Sequence, residues 1–120
     1  MKILVVDDEP VVAALIGESV RMQGHESLTA HDGTDAIQMI GSASPDAVFL
    51  DLEMPGLSGL ELLRGIRQAW PELPIVVFAA GASADDLAAV RELGVIDIVE
   101  KPIALSHLTE ALAQLKRQPS

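Results

Sequence analysis

Three stretches of this chain are short, continuous and apolar: Ile3-Leu4-Val5-Val6, Ala47-Val48-Phe49-Leu50 and Ile75-Val76-Val77-Phe78. Strands buried on both faces read this way, because neither face has water to receive a polar side chain. Two further runs, residues 27–31 and 96–100, mix polar with apolar residues and suit edge strands. Between the five runs the apolar spacing becomes helical. Val12, Leu15, Ile16, Ser19 and Val20 share one face, with Asp8 as the expected cap and Pro10 in the first turn. Ala36, Ile37 and Ile40 follow a turn at Asp32-Gly33, and Gly59, Leu62, Leu63 and Ile66 make a third stripe. Leu87, Val90 and Arg91 form a fourth, closed by Gly94, and Leu105, Leu108, Leu112 and Leu115 a fifth.

Five strand–helix repeats predict an α/β fold, a doubly wound parallel sheet with helices on both faces. The three most apolar runs are first, third and fourth in the chain and belong in the centre, which gives the strand order 2-1-3-4-5 of a flavodoxin-like (βα)5 fold. At 120 residues the chain is expected to form one domain, residues 1–117, with 118–120 as a tail or the start of a linker. Phe49, Phe78 and Trp70 are the whole aromatic complement, so the core has to be aliphatic.

Each of three runs ends in charge: the first in Asp7-Asp8, the third in Asp51, the fifth in Lys101-Pro102. Ligands of such sheets bind beyond the carboxyl ends of the strands, at the switch point between the first and third. Singly, each residue has an ordinary role: Asp8 caps a helix, Asp51 opens a turn through Met54-Pro55-Gly56, and Lys101 lies on the surface. Together they are costly. Two carboxylates about 5 Å apart repel by roughly 3 kcal/mol at an effective dielectric near 20. A hard divalent cation relieves that strain, and magnesium, which takes one or two carboxylates and keeps places for water and phosphate, fits best. Lysine at the rim then serves phosphate oxygens as a point charge, and a carboxylate beside both is a competent nucleophile toward phosphorus.

Over almost its whole length the chain resembles the receiver domains of two-component response regulators. The matching residues are Leu4-Val5-Val6-Asp7-Asp8-Glu9-Pro10, Asp51-Leu52-Glu53-Met54-Pro55-Gly56-Leu57-Ser58-Gly59 and Glu100-Lys101-Pro102. The resemblance implies that Asp51 accepts a phosphoryl group from a histidine kinase or phosphotransfer protein. It implies magnesium on Asp8, Asp51 and the backbone carbonyl of Glu53, with Asp7 acting largely through water. Lys101 and the backbone N–H groups near Leu52 and Ala80 would meet the phosphoryl oxygens, and the Lys101–Pro102 peptide would be cis. Such a domain is a signalling phosphoacceptor with slow self-phosphorylation and self-dephosphorylation, not a turnover enzyme. Its output domain or partner protein would engage the face of the fourth helix, fifth strand and fifth helix.

Two positions depart from that family. Ala79 stands where receivers usually carry Thr or Ser, and Ile98 where they carry Tyr or Phe. The hydroxyl that would bond the phosphoryl group and the ring that turns in behind it are therefore missing. The expected consequence is atypical output switching on intact phosphorylation chemistry; the alternative is a constitutive interaction module without regulated phosphorylation.

Other classes fit less well. Haloacid-dehalogenase-like hydrolases share the nucleophile but want a second Asp two residues on, where this chain has Glu53. A flavodoxin-like cofactor carrier would need a Ser/Thr/Gly-rich phosphate loop after the first strand, which Asp7-Asp8-Glu9-Pro10 is not. His25, His31 and His107 share no metal-ligand spacing and read as solvated or locally bonded. Met22, Met39 and Met54 read as packing or loop residues, and Trp70 as half-buried at a helix end. A net charge of −10 disfavours direct contact with nucleic acid or an anionic membrane. No cysteine is present, and the first apolar run is too short for a signal peptide or membrane span, so a cytoplasmic location is expected.

Overall fold

A computed structural model describes residues 1–54 and 58–117. The elements alternate throughout: β1 (Lys2–Val6), α1 (Pro10–Met22), β2 (Glu26–Ala30), α2 (Gly33–Ala43), β3 (Ala47–Asp51), α3 (Gly59–Ala69), β4 (Ile75–Ala79), α4 (Ala84–Glu92), β5 (Asp97–Glu100) and α5 (Leu105–Lys116). The five strands form one parallel sheet in the order β2-β1-β3-β4-β5. Fold class and strand order are those the sequence pattern predicts. The turn expected at Met54-Pro55-Gly56 falls partly, and the tail 118–120 wholly, outside the described residues.

Strand alternation divides the core into two layers. Leu4, Val6, Val48, Leu50, Ile75 and Val77 face α2, α3 and α4 and pack with Ala36, Ile40, Leu62, Leu63, Ile66 and Val90. Ile3, Val5, Ala47, Phe49, Val76, Phe78 and Val99 face α1 and α5 and pack with Ile16, Val20, Leu108 and Leu112. Phe49 and Phe78 meet edge to face on that second side, with ring centroids 5.4 Å apart. Because β1, β3 and β4 are covered on both faces, their apolar runs have no polar alternation.

Helix ends follow local chemistry. Asp32, Ser58 and Ser83 cap α2, α3 and α4 by accepting from the N–H groups of Asp35, Glu61 and Asp86. Gly94, at φ +75°, turns the chain out of α4 as its position after that stripe predicts. Asp8 does not cap α1, contrary to expectation. Glu9 is the N-cap residue, without a side-chain bond, and the carboxylate that turns toward this segment is Asp7, whose Oδ1 accepts from Glu9 N–H at 2.9 Å.

Three leucines or isoleucines expected in the core are not there. Leu15 and Leu105 are largely exposed and Ile37 is partly so. In α1 the buried face is centred on Ala13, Ile16, Gly17 and Val20, because small residues let the helix approach the sheet and rotate Leu15 outward. Leu105 starts α5 beyond the sheet edge, one turn before the buried set Leu108, Ala111, Leu112 and Leu115 begins. Arg91 is exposed, which leaves Val90 and half-buried Leu87 to hold α4.

Candidate functional site

The same alternation that sorts the core assembles the charged residues. Asp7 follows Ile3 and Val5, Asp51 follows Ala47 and Phe49, and Lys101 follows Val99, each continuing the set that faces α1 and α5. Ladder bonds hold these strand ends level: Asp7 N–H donates to Ala30 O, Leu52 N–H to Phe78 O and Lys101 N–H to Ala79 O. Three chain segments far apart in sequence therefore place their charge over one spot at the carboxyl edge.

Asp51 is fully buried, and Asp7 is almost as enclosed. Lys101 Nζ donates to Asp51 Oδ1 at 2.8 Å, and Glu53 N–H donates to the same oxygen at 3.0 Å. Asp51 Oδ2 and Asp7 Oδ2 are buried with no hydrogen-bond partner among the described residues. Burial, opposed by the Glu9 N–H bond and reinforced by the Asp51 charge, raises the Asp7 carboxyl to about 6. For Lys101, burial works against the charge, but the hydrogen bond and attraction of Asp51, with Asp7 and Glu53 adding to it, raise its pKa overall. The lysine is thus held as an ammonium ion.

One carboxylate oxygen from each of Asp7, Asp8 and Asp51 lies within 4.8 Å of the other two. Buried oxygens without donors are a standing cost, and a hard cation is the partner that satisfies several at once. The donor set is all oxygen, with no sulfur or imidazole among the three, so the cluster fits a hard divalent ion better than zinc or copper.

Leu52 does not offer the N–H expected of it. That group is committed to the ladder bond with Phe78 O, at 2.8 Å, and the first N–H past Asp51 that turns into the site is Glu53's. Gly59 explains how α3 can start so close by: a Cβ there would collide with the Leu52 backbone. Ala80 lines a cavity together with Lys101, and its N–H donates to Glu53 Oε1 at 2.7 Å. The sequence gives no periodic or spacing signal for that contact, because it joins two loops across 27 positions.

Ala79 and Ile98 have the opposite strand parity and face the α2–α4 layer, behind the charged cluster. Beside them lies a cavity of about 270 Å³ lined by Ala80, Gly81, Leu87, Glu100 and Lys101. Small side chains at the end of β4 leave this space between Lys101 and α4. The Lys101–Pro102 peptide is cis.

The histidines are locally engaged. His31 Nδ1 lies 3.2 Å from the Asp7 carbonyl oxygen, His25 Nδ1 is 2.9 Å from the Met1 amino group, and His107 Nε2 is 3.0 Å from Asp97 Oδ2. They lie apart from one another and form no metal group among the described residues. Nor is any described helix long and apolar enough to cross a membrane.

Comparison with known proteins gives the same answer from three directions. A family model described as "Response regulator receiver domain" matches residues 3–113. The response regulator MprA of Mycobacterium avium (strain 104) is 40% identical over 118 residues, covering 98% of this chain and 52% of MprA. The chain thus spans about half the length of the curated relatives it matches. Among solved structures, the receiver domain of NtrX from Brucella abortus superposes with a TM-score of 0.86 at 36% identity, covering 97% of this chain and 99% of that one. A response regulator receiver protein from Pseudomonas putida gives a TM-score of 0.89 at 28% identity, covering 94% and 95%.

Proposed function

The chain belongs to the response-regulator receiver family, and on that premise we propose that it receives a phosphoryl group on Asp51 from a histidine kinase or phosphotransfer protein, with magnesium as cofactor. The observation that carries this is the pairing of Lys101 Nζ with one oxygen of a fully buried Asp51 while the other oxygen, and Asp7 Oδ2, lack donors. A carboxylate so placed is oriented and short of the partners that a cation and a phosphoryl group supply.

In the transfer, an Asp51 oxygen forms a bond to phosphorus while the bond from phosphorus to the donor's leaving atom breaks, and the leaving group takes the electron pair. Lys101 follows the charge as it moves onto the phosphoryl oxygens, and its raised pKa keeps it protonated while it does so. The N–H groups of Glu53, which already donates to Asp51 Oδ1, and of Ala80 are assigned to the phosphoryl oxygens as backbone donors. Asp8, Asp51 and the Glu53 carbonyl are assigned to magnesium directly, and Asp7 to its water shell. Bound there, the ion would neutralise charge on the entering phosphoryl group.

An apolar groove beside Lys101, lined by Val12, Leu15, Ile16, Ile103, Leu105 and Leu108, gives a protein donor a surface to rest on next to the site. Output is assigned to the α4–β5–α5 face with atypical switching, since Ala79 carries no hydroxyl and Ile98 no ring. The same two residues also favour a second reading, a constitutive interaction module. The domain so assigned covers residues 1–117 and works in the cytoplasm.

Incubation with acetyl phosphate and magnesium distinguishes the two readings. A phosphoacceptor gains one phosphoryl mass, stable in acid and labile in base, and the Asp51→Asn variant does not. No adduct on the unmodified chain favours the constitutive module.

A further inference from the structure

Glu53 has an exposed side chain whose carboxylate is nonetheless engaged by a backbone donor. It reaches across the top of the sheet and accepts from Ala80 N–H at 2.7 Å, a short bond of the charge-assisted kind. Ala80 follows the end of β4, so this contact ties the loop after β3 to the loop before α4.

The donors around Asp51 show what that contact occupies. Leu52 N–H is spent in the sheet, and Glu53 N–H already serves Asp51 Oδ1. Ala79 has no hydroxyl to offer. Ala80 N–H is therefore the donor at the end of β4 that an arriving anion can use, and an anion of the chain itself is on it.

We propose that the Glu53 carboxylate is an internal occupant of the phosphoryl site, which must leave Ala80 N–H before a phosphoryl oxygen can take that donor. This rests on the phosphoacceptor reading of Asp51 and adds a regulatory element to it. A phosphoryl group and the Glu53 carboxylate are both anions, one N–H serves one of them well, and close approach of the two is repulsive. The apparent affinity for the phosphoryl group is then reduced by the fraction of time that Ala80 is free. Displacement also releases the only bond described between Glu53 and the β4–α4 loop, which gives a chain without a hydroxyl at position 79 another way to report phosphorylation there.

Titration of magnesium and beryllofluoride into the whole chain, followed by ¹⁹F NMR of bound fluoride, tests the proposal on wild type, Glu53→Ala and Glu53→Gln. The expected result is about tenfold tighter binding by Glu53→Ala, the gain for a donor that is free one-tenth of the time. Glu53→Gln gains less, because its neutral oxygen still accepts from Ala80 N–H. Wild type binding as tightly as both variants, or more tightly, overturns the proposal while leaving Asp51 as phosphoacceptor. Absence of binding by all three proteins, each shown folded by its amide spectrum, overturns the phosphoacceptor reading and the proposal together.

Discussion

Lys101 Nζ and Asp51 Oδ1 are 2.8 Å apart, although β4 lies between β3, which ends in Asp51, and β5, which ends one residue before Lys101. The lysine side chain thus reaches across the end of that strand. Such a buried pair contributes little net stability, because desolvating both charges cancels much of their attraction. Its effect is to fix an ammonium group and a carboxylate in one orientation before any ligand arrives. Binding then spends no entropy on arranging them.

Asp7 makes the ligand-free protein sensitive to pH. Its carboxyl is raised from 3.8 to about 6, so the folded state holds this proton more tightly than the unfolded chain does. The contribution to stability is complete below about pH 4 and is lost as pH rises through 6. Asp7→Asn removes that loss. In urea unfolding without divalent ions, the variant should exceed wild type by on the order of 2 kcal/mol at pH 7, with the difference closing toward pH 4. A difference of the same size at both pH values contradicts the assignment.

Ala79 and Ile98 make the switching claim testable. Beryllofluoride with magnesium should shift wild-type amide resonances around Asp51, Glu53 and Ala80 but only weakly those of residues 84–93 and 96–99. Ala79→Thr with Ile98→Tyr restores the hydroxyl and the ring beside a cavity of about 270 Å³. In that double variant the shifts should spread across α4 and β5. Strong wild-type shifts over those residues would show an ordinary switch and remove the case for a rerouted one.

The order of the elements and both core layers were legible because burial on two faces leaves a plain apolar run, and one-sided burial leaves a helical stripe. Asp7, Asp8, Asp51 and Lys101 were legible because they interrupt those runs at the strand ends. What escaped involves groups whose partners depend on tertiary placement. Leu15 carries the right period but not the right rotation, which Ala13 and Gly17 set by close packing, and Leu105 starts α5 one turn before its buried set begins. Glu53 N–H takes the place expected of Leu52 N–H, because the ladder bond to Phe78 uses the latter. The Glu53 contact with Ala80 has no sequence period at all.

Arg67 belongs to the same class. Near the end of α3 it donates to the carbonyls of Trp70, Leu73 and Leu93 at 2.8–3.2 Å, joining the last turn of α3 to the end of α4. Burial lowers its pKa without removing its charge. Charge-assisted bonds to these carbonyls predict a loss of about 2 kcal/mol for Arg67→Ala in denaturant unfolding. Phosphoryl capture at Asp51 should be unchanged. A loss under about 0.5 kcal/mol, the range of ordinary surface substitutions, would show that water replaces the guanidinium.

On the proposed function, Asp51 itself should carry the phosphoryl group. Borohydride reduces an acyl phosphate to an alcohol and so converts a phosphorylated aspartate into homoserine. The protein should be treated with magnesium and acetyl phosphate, reduced, digested and mapped by peptide mass spectrometry. Homoserine at position 51, dependent on magnesium and absent without acetyl phosphate, is the predicted result. Homoserine at Asp7 or Asp8 instead, or none anywhere in a folded protein, contradicts it.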